Sequence, residues 1–178
     1  MAIGRTQVIS NPNLFLYDNG NEFQGVTGTF AEVQTTTAGV TAVFTKNVDS
    51  LEIEHTHTTT TGTQRSYFQT TNAIDLTDYR ALLVDVQRAG TADTFDIYMA
   101  VDTDSGVTLF DERYLLTAST SPTFNVIDIT AITGSNYIYA GMNTVDDDDD
   151  VATVEFFKIY LVKWHYGNGY WWGHLFYF

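Results

Sequence analysis

Residues Thr94–Val101 read TFDIYMAV, and their order decides the fold class. Phe95, Ile97, Met99 and Val101 share one side of an extended chain, with Asp96, Tyr98 and Ala100 on the other. A strict period of two marks a β-strand with one buried face. Leu51–His57 (LEIEHTH) alternates in the same way, placing Leu51, Ile53, His55 and His57 against Glu52, Glu54 and Thr56. Val151–Trp164 (VATVEFFKIYLVKW) is apolar on both faces, as expected of a long central strand in a sandwich.

The same reading predicts strands over Phe30–Thr36, Val40–Lys46, Arg65–Thr71, Ala81–Arg88, Val107–Leu116, Phe124–Ile129 and Tyr137–Thr144. Turn-forming residues separate them: Asp18–Asn21, Ala38-Gly39, Thr61-Gly62, Ala89-Gly90, Asp104–Gly106, Gly134–Asn136 and the run Asp146–Asp150. Short strands with turns roughly every 8–12 residues imply a β-sandwich or barrel. No amphipathic helix is expected; Leu76–Tyr79 has room for a single turn.

Composition agrees. Threonine is the commonest residue and aromatics reach 15%, a balance that suits pleated, half-buried surfaces. A chain of 178 residues that is 44% hydrophobic is long enough for one domain with its own core. Cysteine is absent, which excludes a disulfide framework and thiolate metal sites. No run of 18 apolar residues exists to span a membrane, and MAIGRTQVISNPN lacks the apolar segment of a signal peptide. The net charge of −14 repels phosphate backbones and anionic bilayers, so neither nucleic acid nor membrane is an expected partner.

The chain divides into an N-terminal arm (1–13), a sandwich (14–164) and an aromatic C-terminal tail (165–178). Three segments carry a family resemblance. They are LFLYDNGNEFQGVTGTF (14–30), AIDLTDYRALLVDV (73–86) and the closing strand VEFFKIYLVKW (154–164). Together they resemble the galactose-binding-like, carbohydrate-binding-module jelly rolls, and more narrowly the small jelly-roll proteins among the structural proteins of tailed bacteriophages. In Ile74-Asp75-Leu76-Thr77, the apolar pair is expected to plug one end of the sandwich while Asp75 and Thr77 satisfy backbone donors. Many such jelly rolls hold a structural calcium, partly through a carboxylate in the last strand. The matching position here is Lys158, so the resemblance carries no metal ligands over.

No catalytic constellation is present: there is no Gly-x-Ser-x-Gly, no phosphate-binding glycine loop and no His-Glu-x-x-His. An enzyme is not expected, nor a cofactor. Two clusters have metal-ligating chemistry. Asp146, Asp147, Asp148, Asp149 and Asp150 concentrate five carboxylates between two strands, against the plainer reading of a solvated, self-repelling loop. His55 and His57 lie on one strand face and need further ligands from elsewhere. The plainer reading puts them where the inward face emerges into the Thr-rich stretch Thr56–Thr63. In both cases the plainer reading is preferred.

The tail carries Tyr166, Tyr170, Trp171, Trp172, Phe176, Tyr177 and Phe178 in fourteen residues. Large aromatics at a chain end demand cover. Either the tail folds back on its own sandwich or it inserts into neighbouring subunits, and the second is the expectation. The implied function is a non-enzymatic virion subunit of a tailed phage, a capsid decoration or a tail or baseplate accessory. Its partners would be copies of itself, other virion proteins and, in one version, host-surface glycans. The alternative is a carbohydrate-binding module or glycan adhesin.

Overall fold

A computed structural model describes residues 14–18, 30–47, 50–58, 62–90, 95–110, 112–146 and 150–163. Among these there is no helix, and twelve strands account for most of the chain. They are β1 (Leu14–Asp18), β2 (Phe30–Gln34), β3 (Val40–Lys46), β4 (Leu51–His57), β5 (Gly62–Thr70), β6 (Ile74–Asp75), β7 (Tyr79–Gly90), β8 (Phe95–Asp102), β9 (Glu112–Leu115), β10 (Thr123–Asp128), β11 (Ser135–Asp146) and β12 (Val151–Lys163). The predicted arm 1–13 and tail 165–178 lie outside the described residues.

The strands form two antiparallel sheets packed as a jelly-roll sandwich. The first runs β10-β7-β12-β4-β3, and the second runs β2-β5-β11-β8-β9. β12 is central, as its two apolar faces predicted. β7 covers one edge of it throughout, while β4 takes Val151–Phe156 and β1 takes Lys158–Leu161 on the other. A bulge between Phe156 and Lys158 separates the two halves. The second sheet repeats the device: β5 pairs most of β11, and short β6 pairs its first residues through Ser135↔Asp75.

The core between the sheets is built by the alternation read from sequence. Leu51 and Ile53 of β4, Ile97, Met99 and Val101 of β8, and Val154, Phe156 and Ile159 of β12 are all buried there. Burial on this scale contributes roughly 1.5–3 kcal/mol per large side chain.

One end of the sandwich uses a single sequence device twice, at the start of β7. In Ile74-Asp75-Leu76-Thr77, Asp75 Oδ1 accepts from the Thr77 backbone N–H (3.0 Å) and hydroxyl (2.6 Å), while Leu76 is fully buried. Thr77 Oγ1 in turn accepts from the Gly134 N–H, and the Tyr79 N–H closes the turn on Leu76 O. Ile127-Asp128-Ile129-Thr130 repeats this: Thr130 N–H and hydroxyl donate to Asp128 Oδ1, and Ile129 is the buried plug. The first copy was legible in the sequence; the second was not recognised there.

One strand expectation fails. Val107–Leu116 was read as continuous, but only Glu112–Leu115 is strand, pairing with β8. Val107, Leu109 and Phe110 belong to the β8–β9 connection, with Val107 and Phe110 packed on the outer face of the second sheet.

Candidate functional site

The outer face of the second sheet is the most chemically varied surface among the described residues. Its rows follow from strand register. Val33, Tyr67, Gly141, Tyr98 and Leu115 form one row across β2, β5, β11, β8 and β9. On one side lies Arg65–Asn143–Asp96; on the other lies Gln69–Tyr139–Ala100–Arg113. Gly141 is required in the middle. A Cβ there would come within 2.6 Å of the Tyr67 ring and 2.1 Å of the Ser66 carbonyl, so its bare backbone lets Tyr67 lie across β11.

Half of this face is closed. Phe110 meets Tyr67 edge-on at 4.7 Å between centroids and Tyr139 at 4.6 Å. The connection is pinned by Gly106 N–H donating to Gln69 Oε1 (2.6 Å) and by the Tyr139 hydroxyl donating to Asp104 O (2.7 Å). Gly106 has φ of +73°, a conformation that glycine adopts freely. Burial pushes the Tyr139 hydroxyl up to about 12. Tyr98 and Ala100 were expected on a solvated face; this cover is why they are buried instead.

The other half is polar, with Asp96 and Arg113 exposed, Arg65 half-buried, and Tyr67, Tyr98 and Asn143 buried beneath them. Tyr67 donates to Asn143 Oδ1 at 2.5 Å, and Tyr98 donates to Asp96 Oδ2 at 2.6 Å. The exposed Arg113 guanidinium lies over the Tyr98 ring, 4.3 Å from its centroid. Arg65 Nε is buried without a hydrogen-bond partner. Burial pushes the Tyr98 hydroxyl up to about 12, Asp96 adds to the rise, and Arg113 and Arg65 oppose it. What this surface presents to solvent is the Asp96 carboxylate and the Arg113 guanidinium, with Arg65 half-buried on the same face. Those are the groups that recognise polyhydroxylated ligands by convergent hydrogen bonds. The sequence reading placed Arg65–Thr71 and Thr94–Val101 in strands and named no site on them. Its available signal was the polar alternation Arg65-x-Tyr67-x-Gln69 opposite Asp96-x-Tyr98.

The two metal candidates fare differently. His55 and His57 are both fully buried, so the inward face does not emerge at a loop; that expectation is corrected. They enter a polar end of the core. His55 Nδ1 lies 2.8 Å from Thr144 Oγ1 and its Nε2 lies 2.7 Å from Ser66 Oγ, while His57 Nε2 lies 2.8 Å from the same Thr144 oxygen. Alternation along β4 sets the pair on the core face, and partners on β5 and β11, which nothing in β4 alone could reveal, satisfy it there. Burial, reinforced by the charge of His57, pushes His55 down to about 3, so it is neutral at ordinary pH. Among the described residues no group of three or more His, Asp or Glu is placed to hold a metal.

Asp147–Asp149 lie outside the described residues, and the backbone carbonyl of Asp150 accepts from the His57 N–H. Lys158 stands opposite Asp85 on β7 and Asp18 on β1, so the residues at this position do not fit the calcium of related jelly rolls. The seven tail aromatics, from Tyr166 to Phe178, lie outside the described residues.

No protein-family model and no curated protein matches the sequence. Solved structures do match. A family 11 carbohydrate-binding module from Clostridium thermocellum, in complex with a β-1,3-1,4-mixed-linked tetrasaccharide, superposes with a TM-score of 0.50 at 15% identity. That match covers 85% of this chain and 95% of the module. A family 29 carbohydrate-binding module matches at TM-score 0.50 and 9% identity, over 84% and 86% of the two chains. Part of the Endo-D glycoside hydrolase from Streptococcus pneumoniae R6 matches at TM-score 0.53 and 15% identity, over 74% of this chain but only 21% of that one. The fold is therefore that of the carbohydrate-binding-module jelly rolls, as the three sequence segments implied.

Proposed function

We propose that this chain is a non-catalytic glycan-binding module whose site is the outer face of β5, β11, β8 and β9. One observation carries the reading: exposed Asp96 and Arg113 and half-buried Arg65 share one sheet face, over a buried layer of Tyr67, Tyr98, Tyr139 and Asn143. A binding site of this kind needs fixed donors and acceptors more than a nucleophile. The carbohydrate ligands of the structural neighbours support the same reading. The test is titration of the purified protein with soluble polysaccharides, followed by affinity electrophoresis and tyrosine fluorescence. Saturable binding that is lost when Asp96→Ala and Tyr98→Ala are combined is expected. Failure to bind any glycan rejects the reading.

A second reading keeps the chain as a tailed-phage virion subunit. The observation favouring it is an exposed apolar pair, Phe124 (57% exposed) and Val126 (59%), on the sheet-edge strand β10. An apolar sheet edge is a natural site for association. The aromatic tail residues Tyr166, Tyr170, Trp171, Trp172, Phe176, Tyr177 and Phe178 would supply the rest of the interface. Truncation after Trp164 should leave a folded protein that sediments as a monomer while the full chain does not. Unfolding of the truncated chain would instead make the tail part of its own sandwich.

A further inference from the structure

The polar half of the site is less acidic than the rest of the protein. The chain has 8 basic against 22 acidic residues, yet two of the eight, Arg65 and Arg113, stand on this one face. They flank the hydroxyls of Tyr67 and Tyr98, and the positive charges of both act on both phenols. One carboxylate, Asp96, shares this locus, and the Tyr98 hydroxyl satisfies it. Asp102 lies one row beyond Ala100, as near to Arg113 in register as Tyr98 is, but is buried beside Tyr139.

Neither guanidinium is used up by the fold. Among the described residues, Lys163–Asp78 is an ion pair, while Arg65 and Arg113 have none. Arg113 spends its contact on the Tyr98 ring, which holds the guanidinium plane without occupying its N–H edge. Arg65 Nε remains a buried donor without an acceptor. A buried donor left unmet is unfavourable, and an acceptor supplied by a ligand relieves it.

Resting on the glycan-binding reading above, we infer that the ligand is an acidic polysaccharide whose sugar carboxylates are taken by Arg65 and Arg113. The guanidinium fork matches a carboxylate with two parallel N–H···O bonds, whereas a neutral sugar hydroxyl meets only one edge of it. The arginines sit on β5 and β9, with β11 and β8 between them. Three strand spacings of about 4.8 Å, combined with a four-residue offset along β8 of about 14 Å, put their backbones about 20 Å apart, so a polymer with carboxylates on separated residues is the natural bridge. The acidic remainder of the surface is not prohibitive, because exposed charges beyond about 8 Å are largely screened at physiological ionic strength. Duplex nucleic acid is a poor fit: it is held by a series of phosphate contacts, and this face offers two cations.

The experiment is affinity electrophoresis and calorimetric titration of the full chain with four polymers. These are polygalacturonate, the same polymer fully methyl-esterified, neutral mixed-linkage β-glucan, and single-stranded polynucleotide. Polygalacturonate should bind at least about tenfold more tightly than its ester. Arg113→Gln and Arg65→Gln should each lose about tenfold on polygalacturonate, with Arg113→Lys recovering part of the loss. Circular dichroism of Arg113→Gln should stay native, because its side chain is exposed. Equal binding of acid and ester, or retention by neutral β-glucan alone, overturns the inference and leaves the glycan-binding reading standing. Undiminished binding in the two glutamine variants also overturns it, as does equal retention by polynucleotide, which marks a general polyanion surface. Absence of binding to every glycan overturns both.

Discussion

The His55 imidazole and the Thr144 hydroxyl, 89 residues apart in the chain, meet across the gap between the two sheets at 2.8 Å. Thr144 Oγ1 also serves His57, and Ser66 takes the other ring nitrogen of His55. One end of an otherwise apolar core is thus held by a polar network that reaches the facing sheet, with His57 Nδ1 left without a partner.

This network makes stability depend on pH. The folded-state value of His55 is about 3, below the unfolded value of 6.5, so the unfolded chain binds the extra proton. The stabilisation is complete above about pH 6.5 and is lost as pH falls toward 3. By pH 4 the loss should be roughly 3 kcal/mol. Denaturant midpoints measured from pH 8 to pH 4 should fall more steeply for the parent than for His55→Gln. Parallel curves would show that His55 does not titrate on unfolding.

Thr144→Val should destabilise by about 2–4 kcal/mol, because it strips a hydroxyl from two buried ring nitrogens while keeping the side-chain shape. Thr144→Ser keeps the hydroxyl and should lose only about 1 kcal/mol, for one methyl. Equal losses in the two variants would mean that packing, and not hydrogen bonding, matters at this position.

Gly141→Ala should cost about 3 kcal/mol or more, since its Cβ would meet backbone of β5 at 2.1 Å and the Tyr67 ring at 2.6 Å. Gly106→Ala meets nothing within 4 Å and is penalised only for its φ of +73°, by about 1 kcal/mol. Chemical denaturation should rank the two in that order; a milder Gly141 variant would show that Tyr67 can move off β11.

Phe110→Ala removes the ring that covers Tyr67 and Tyr139. A loss of about 2 kcal/mol is expected, together with a changed near-ultraviolet tyrosine signal and faster quenching by acrylamide. An unchanged quenching rate would indicate that other parts of the chain shield these tyrosines.

The paired plugs at one end of the sandwich show how far local chemistry reaches. Ile74-Asp75-Leu76-Thr77 announces its turn in four residues, because Asp75 bonds only to Thr77, two positions on. The candidate site needs more. Arg65, Asn143 and Asp96 become neighbours only through register between β5, β11 and β8, which no single strand specifies.

Alternation along TFDIYMAV was enough to establish a strand and its core face, since side chains of an extended chain must point to opposite sides. The sandwich followed from repeating that pattern between turns. Which outer face is solvated was decided by tertiary structure alone. Phe110 lies beyond the end of β8, yet it returns over Tyr67 and Tyr139, so residues that read as outward are buried. His55 and His57 teach the same point from the other side. Their burial depends on Ser66 and Thr144 arriving from the opposite sheet, and hydrogen-bond partners so distant in sequence exist only once the two sheets have packed.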